Sequence, residues 1–224
     1  MRELLTDLRL VAAKDLRIEL RSRVVANQVA PFAVLVLVLF GVALDADQRT
    51  LRSFAPGLFW MAVLFCALLA VQRSAAIEQA DEAAVGLSLS GISPAGLFLG
   101  KATAVFVQLL ALEVLLTGGI VVLYRSSIED VMLLVLTGLM AGVAVAAAGT
   151  LYGAMAAGLG VRETLLPILL LPVLAPVLIG ATRAFDDALG APAVDGWTWL
   201  ALLAGLAATM TIFGALAHRL LVDD

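Results

Sequence analysis

The sequence predicts an all-α integral membrane protein with six transmembrane helices. Of its 224 residues, 62% are hydrophobic and only 14% are charged, and the mean hydropathy is +1.07. A soluble domain is closer to half apolar, so this chain has too much apolar surface for one soluble core. The apolar residues also fall into long runs, each near the roughly 20 residues that a helix needs to cross a bilayer.

The first 23 residues read as a basic amphipathic helix. Apolar residues such as Leu8, Val11 and Ala12 recur at helical spacing, and six Lys and Arg residues surround them. This pattern is typical of a helix that lies in the headgroup region, and a plain basic flank that sets topology is compatible with it. The segment lacks a small-residue cleavage motif, so we do not interpret it as a cleavable signal.

Six apolar spans follow, and together they make residues 24–217 one transmembrane domain with a short polar tail, 218–224. Pro56 falls in the first turn of the second span, where a helix tolerates proline, and Trp60 is expected close to a membrane interface. The predicted spans cover residues 24–44, 54–72, 102–124, 131–160, 164–182 and 197–217.

The distribution of basic residues predicts the orientation. Six Lys and Arg residues precede the first span and two follow it, which places the N-terminus in the cytoplasm. With six spans, the C-terminus and the polar stretch 73–101 between the second and third spans are then cytoplasmic as well.

The stretch 73–101 is the predicted docking segment for a water-soluble partner. Its carboxylates recur at spacings of three and four, which places them on one face of a helix, and apolar residues follow on the next turns. A solvated loop with an amphipathic half is the alternative. The predicted contact residues are Glu78, Asp81, Glu82, Val85, Leu87 and Leu89.

Two polar residues interrupt the third span. Glu113 lies well inside the apolar segment, and Gln108 precedes it by more than a turn. A charge at this depth is expensive, so Glu113 is expected to be protonated, paired or turned towards a polar cavity. A functional role and a structural hydrogen bond to another span both fit the sequence.

Three prolines, Pro167, Pro172 and Pro176, occur in the fifth span. Each removes a backbone donor and crowds the preceding turn, so the helix is expected to be kinked or broken. Such a helix suits a gate or a cavity wall, and a static bend is the alternative. In the fourth span, Gly138, Gly142, Gly149 and Gly153 form rows of small residues that predict close helix packing.

The sequence predicts no catalytic, cofactor-binding or metal-binding residue. Gly100 and Lys101 do not form a phosphate-binding loop, because Ala95 and Ala102 break the pattern and no strand precedes them. His218 is alone in the tail and is interpreted as a surface histidine. The net charge of −4 argues against a nucleic-acid partner. An energy source would have to lie in a partner protein.

Three stretches in this order resemble the haem exporter protein B family of bacterial cytochrome c maturation, known as CcmB. They are Phe54 to Trp60, the docking segment 73–101, and Leu166 to Pro176. The resemblance covers essentially the whole chain. Glu82 departs from it, because the family often has a glycine after the acidic residue matched by Asp81.

The resemblance implies a permease of the ABC exporter, ABC-2-like type, with a coupling helix between spans 2 and 3. It implies a non-catalytic subunit in the bacterial inner membrane, paired with a second copy of itself and two cytoplasmic ATPase subunits. A membrane haem-handling subunit and a periplasmic haem chaperone are the further implied partners. ATP would act only through the ATPase, and haem would be at most a transient substrate.

Two versions of this function stay open: export of haem, or ATP-driven release of the loaded chaperone. An ABC-2-type permease for a glycan, a lipid or a drug is one alternative. A membrane scaffold that recruits maturation factors without translocation is the other.

Overall fold

The chain forms a bundle of long α-helices in the computed structural model, which describes residues 2–43, 48–80, 92–156, 162–191 and 195–222. Side chains are described in these ranges except at residues 2–3, 26, 74–80, 162–164 and 219–222. The helices are α1 (Arg2–Ser22), α2 (Ala30–Ala43), α3 (Gln48–Ala80), α4 (Pro94–Leu123), α5 (Val131–Ala156), α6 (Arg162–Ala188) and α7 (Gly196–Val222), with a π-helical turn at Val25–Val29. The all-α prediction is confirmed for these ranges.

Five of the described helices, α3 to α7, are long and apolar enough to cross a membrane. Helix α2 has only 14 residues, about 21 Å of helix, which is shorter than the roughly 30 Å hydrocarbon core. A sixth candidate exists if α1 and α2 form one broken span, since Leu4–Ser22 and Asn27–Ala43 meet at 54°. The multi-pass class is therefore supported, and the count of six stays a prediction.

Helix α3 differs from the predicted second span at its start. It begins at Gln48, so Pro56 lies inside the helix and not in its first turn. Trp60 is 1% exposed and packs against Phe59 and Phe185, each with ring centroids 5.2 Å away. Burial of this large aromatic side chain between α3 and α6 removes much apolar surface from solvent, and its depth near a membrane interface stays a prediction.

Helix α5 lies at the centre of the bundle and contacts α3, α4, α6 and α7. Its small residues allow this, as the sequence predicted. A methyl group added at Gly149 would lie 2.5 Å from Cγ2 of Val71, and one at Gly153 would lie 3.2 Å from Cγ1 of the same side chain. Glycine at these positions therefore lets α3 and α5 approach closely.

Helix α6 runs without interruption from Arg162 to Ala188 through all three prolines. The break that the sequence allowed is therefore not found, and a kink stays a prediction. Pro172 and Pro176 are exposed on the outside of the described bundle, whereas Pro167 is half-buried.

Helix α7 continues through the predicted tail to Val222. His218 is 5% exposed, and its ring centroid lies 5.9 Å from that of Phe98. The interpretation of His218 as a surface residue is wrong, because the helix carries it back against α4. Gly214 lies against the ring of Phe98 one turn earlier and leaves no room for a side chain.

The bundle has two ends, which we name by residues. The segment end carries Arg73 of α3 and Ser93, which precedes α4. The opposite end is joined by short polar contacts, in which the backbone N–H of Glu129 donates to the carbonyl of Ala188 at 2.9 Å and that of Gly196 donates to Asp187 at 2.8 Å.

Candidate functional site

The predicted docking residues fall almost wholly outside what the structure describes. Glu78 belongs to α3 near the end of this helix, where the structure describes the backbone but not the side chains. Asp81, Glu82, Val85, Leu87 and Leu89 lie outside the described residues. Their role stays a prediction. The structure does describe the two ends of the segment, where the chain leaves the bundle and where it returns.

The first end is held by an ion pair between α1 and α3. Arg73 donates from Nε to Oε2 of Glu19 at 3.1 Å, and the backbone N–H of Val25 donates to Oε1 of the same carboxylate at 2.6 Å. The Glu19 side chain is 10% exposed and that of Arg73 is 31% exposed. Because both carboxylate oxygens have donors, the buried charge of Glu19 is compensated.

The second end is held by a contact between α1 and the start of α4. Ser93 donates to Oδ2 of Asp7 from its backbone N–H at 3.1 Å and from Oγ at 2.8 Å. The same Ser93 Oγ accepts a hydrogen bond from the backbone N–H of Gly96 at 3.2 Å, as an N-cap residue does. Pro94 occupies the first helical position, where its missing donor costs nothing.

Two glycines allow α1 to lie directly on α4. A methyl group at Gly96 would lie 2.6 Å from Cβ of Asp7, and one at Gly100 would lie 2.6 Å from Cβ of Val11. Sequence reasoning missed this contact, although Gly96 and Gly100 have the spacing of four that marks close helix approach. Helix α4 begins at Pro94, which lies before residue 102, the predicted start of the third span. Lys101 is therefore part of this helix, and it is buried.

Glu113 lies in the membrane-spanning part of the bundle, in a notch that Gly138 and Gly142 leave in the surface of α5. It is 4% exposed, and a methyl group at Gly138 or Gly142 would lie 2.8 Å from its Oε2 or 3.3 Å from its Oε1. Within the described part of the chain, Oε1 has no hydrogen-bond partner. The predicted burial inside an apolar helix is found, whereas Gln108 is only half-buried.

A cavity of about 510 Å³ lies between α3 and α6 towards the opposite end. Its walls are largely apolar and include Trp60 and Ile179, and its rim carries Arg183 and Asp186, whose Nη1 and Oδ2 atoms are 3.6 Å apart. The part of α6 after Pro176 lines this cavity. The three prolines themselves are not among its lining residues.

The described helices therefore define a multi-pass α-helical membrane protein with a polar segment inserted between two of its long helices. The CcmB protein family model matches residues 6–222. The chain belongs to this family, which confirms the resemblance found in the sequence.

Two named relatives match most of the chain. It is similar to Heme exporter protein B of Pseudomonas aeruginosa, at 29% identity over 210 residues that cover 93% of this chain and 94% of the relative. Heme exporter protein B of Haemophilus influenzae is 28% identical over 179 residues, 80% of each chain.

Proposed function

We propose that this chain is the membrane permease subunit of a haem-export system that serves cytochrome c maturation. The observation that carries the proposal is the family match across residues 6–222, together with relatives named Heme exporter protein B. The apolar helix bundle supports a role in transport across or within the membrane.

The energy for this role comes from a partner. We assign the chain no chemistry of its own, and ATP is hydrolysed by two copies of a cytoplasmic ATPase that bind a pair of these permease chains. The complex resides in the bacterial inner membrane with both termini of the chain in the cytoplasm. A haem-handling membrane subunit and a periplasmic haem chaperone complete the assembly.

The docking segment is the place where the ATPase binds. Glu78, Asp81 and Glu82 contact basic or amide groups of the ATPase, and Val85, Leu87 and Leu89 fill an apolar groove in it. Support comes from the position of the segment between α3 and α4, two long helices that pass through the bundle core.

Movement of the segment is passed along α3 and α4 into the bundle. Glu113 sits where α4 meets the glycines of α5, so movement of α4 is passed to α5 through this contact. On the far side, α3 and α6 share the wall of the 510 Å³ cavity. Pro167, Pro172 and Pro176 weaken the backbone ladder of α6 and make it the helix that yields.

Charge reversal in the docking segment tests the proposal. Asp81→Lys combined with Glu82→Lys should leave membrane insertion unchanged and release the ATPase in a pull-down from solubilised membranes. Cytochrome c that carries covalent haem, measured by haem staining, should fall in parallel. The matched control is Glu129→Lys, an exposed carboxylate at the opposite end, which should retain the ATPase.

Unchanged co-purification of the ATPase with the doubly reversed variant would contradict the docking role. An ATPase unable to hydrolyse ATP separates a transporter from a scaffold, because a scaffold would support full cytochrome maturation with it. Haem bound to the released chaperone, measured by absorbance, separates haem export from ATP-driven release of a chaperone that is already loaded.

A further inference from the structure

We propose that α1 is a brace that ties the two ends of the docking segment to each other, with Asp7 and Glu19 as its positioning residues. The brace makes α3 and α4 respond to the ATPase as one unit. This inference rests on the proposed function, because it assigns α1 a part in the same coupling step.

The brace has one contact at each end of the docking segment. Asp7 binds Ser93, which caps α4 towards the second end of the docking segment. Glu19 binds Arg73, the first residue of the docking segment. Both carboxylates belong to the same helix, and about three turns separate them, which corresponds to roughly 18 Å along its axis.

These contacts involve charge, burial and close packing at once. The carboxylate of Asp7 accepts two hydrogen bonds from Ser93, and that of Glu19 accepts one from Arg73 and one from the backbone of Val25. Charge-assisted hydrogen bonds of this kind are about twice as strong as neutral ones. The bond to Val25 also attaches the start of the chain leading into α2.

Close packing makes the α1–α4 contact stiff. Val11, between the two carboxylates, is 2% exposed and lies against Gly100, where a methyl group would come within 2.6 Å of its Cβ. A helix held at this distance over two successive turns of α4 has little freedom to slide. A push on the docking segment is therefore delivered to α1, α3 and α4 together.

A second reading of the same contacts is that they only hold α1 on the bundle. The two readings differ in one measurable respect. A purely structural contact affects how much protein folds and assembles, whereas a brace also sets how much cytochrome c is matured for each ATP that the assembled complex hydrolyses.

The test uses the complex of permease and ATPase, with the conservative variants Asp7→Asn and Glu19→Gln. The matched control is Asp15→Asn, a carboxylate on the same helix whose Oδ1 pairs with Nζ of the adjacent Lys14 at 2.9 Å. Three quantities are measured: ATPase retained in a pull-down, ATP hydrolysed by the purified complex, and haem-stained cytochrome c in cells with equal amounts of complex.

We expect both variants to retain the ATPase and its hydrolysis while cytochrome maturation falls about fivefold or more, the lower range of ordinary coupling between sites. The control should mature cytochrome at the wild-type level. The exchange Glu19→Lys with Arg73→Glu should restore part of the maturation that either single change removes, because it rebuilds the ion pair but leaves the N–H of Val25 without an acceptor.

A reversible cross-link covers the case in which a variant folds poorly. In a Cys66→Ala background, Asp7→Cys and Ser93→Cys are joined by a disulfide in the purified complex. If the two residues stay together throughout the cycle, hydrolysis of ATP continues with the bond closed. A large loss of hydrolysis that is reversed by reduction would overturn the brace.

Two further results would also overturn it. One is that Asp7→Asn and Glu19→Gln mature as much cytochrome c as the control Asp15→Asn. The other is that Asp7→Asn or Glu19→Gln releases the ATPase, because α1 would then be a docking surface for it. Failure of the unmodified chain to retain any ATPase would instead refute the proposed function itself.

Discussion

Two buried glutamates in this protein have opposite surroundings. Glu19, at the segment end, is 8% exposed and has a donor for each carboxylate oxygen, from Arg73 and from the backbone of Val25. Glu113, inside the bundle, is 4% exposed and faces glycines, and its Oε1 has no partner in the described part of the chain.

The difference separates an ion-paired anchor from a carboxyl group that is held by packing alone. A carboxylate with two donors fixes the elements that supply those donors. A carboxyl group in an apolar interior, with no donor to its Oε1 in the described part of the chain, is costly to charge, so we expect Glu113 to carry a proton. The segment end is therefore held by an ion pair and hydrogen bonds, whereas the interface between α4 and α5 is held by close packing of Glu113 against glycines.

The largest expected effect is at the anchor. Glu19→Ala leaves the guanidinium of Arg73 and the N–H of Val25 without their acceptor, which should cost about 2–4 kcal/mol of stability. Thermal unfolding in detergent measures this loss. Asp15→Ala, which removes only a contact with its neighbour Lys14, should change the midpoint little, and equal shifts for the two variants would erase the distinction.

The next effect tests the notch. Gly138→Ala places a methyl group 2.8 Å from Oε2 of Glu113, which should cost about 1–3 kcal/mol. Combined with Glu113→Ala, the same change should cost less than about 0.5 kcal/mol, and thermal unfolding of the four proteins gives the coupling. Gly118→Ala is the control, because nothing lies within 4 Å of an added methyl group there. If the stability costs of Gly138→Ala and Glu113→Ala simply add in the double variant, Glu113 does not fill the notch.

A smaller effect is expected at Glu113 itself. Glu113→Gln keeps the size of a protonated acid and adds no charge, so stability should change by less than about 1 kcal/mol and cytochrome maturation should continue. Haem staining and the yield of assembled complex measure the two outcomes. Loss of maturation with normal assembly would show that the carboxyl group acts in a polar cavity, which contradicts the neutral packing role.

The smallest effect concerns an exposed carboxylate at the opposite end. Asp195 accepts a hydrogen bond from Oγ1 of Thr198 at 2.5 Å, and this bond lowers the pKa of Asp195 below its ordinary value of 3.8. Its contribution to stability is therefore complete above pH 3.8 and is lost as the pH falls through the lowered pKa.

The unfolding midpoints of wild type and Asp195→Asn should accordingly differ slightly at pH 6 and converge once the pH has fallen below the lowered pKa of Asp195. A difference that grows on acidification would contradict the assigned sign. Glu19 is the contrast, because its own burial and its two half-buried partners, Arg73 and Val25, should make the corresponding substitution far more damaging.

Much of this architecture was predictable because it depends on local pattern. Long apolar runs identified the membrane helices, and the glycine rows of α5 predicted close packing that the contact of Val71 with Gly149 confirms. The burial of Glu113 followed from its depth in an apolar run. Three short stretches were enough to indicate the family.

The remaining features depend on which helix packs against which, and no local pattern contains that information. Trp60 and His218 are buried by partners more than a hundred residues away in the chain, Phe185 and Phe98 respectively. The links from Asp7 to Ser93 and from Glu19 to Arg73 are of the same kind. The sequence of α1 shows four acids in a basic helix and does not single out Asp7 and Glu19, and only the spacing of Gly96 and Gly100 indicates which surface that helix covers.

Docking of an ATPase on the segment between α3 and α4 is the step on which the proposed function depends most. Site-specific photo-cross-linking in membranes tests it directly, with the reactive group placed at Leu87 or, as a control, at the exposed Trp197 of the opposite end. We expect a covalent adduct with the ATPase from position 87 and none from position 197. Absence of an adduct at 87, or equal adducts at both positions, would contradict the account.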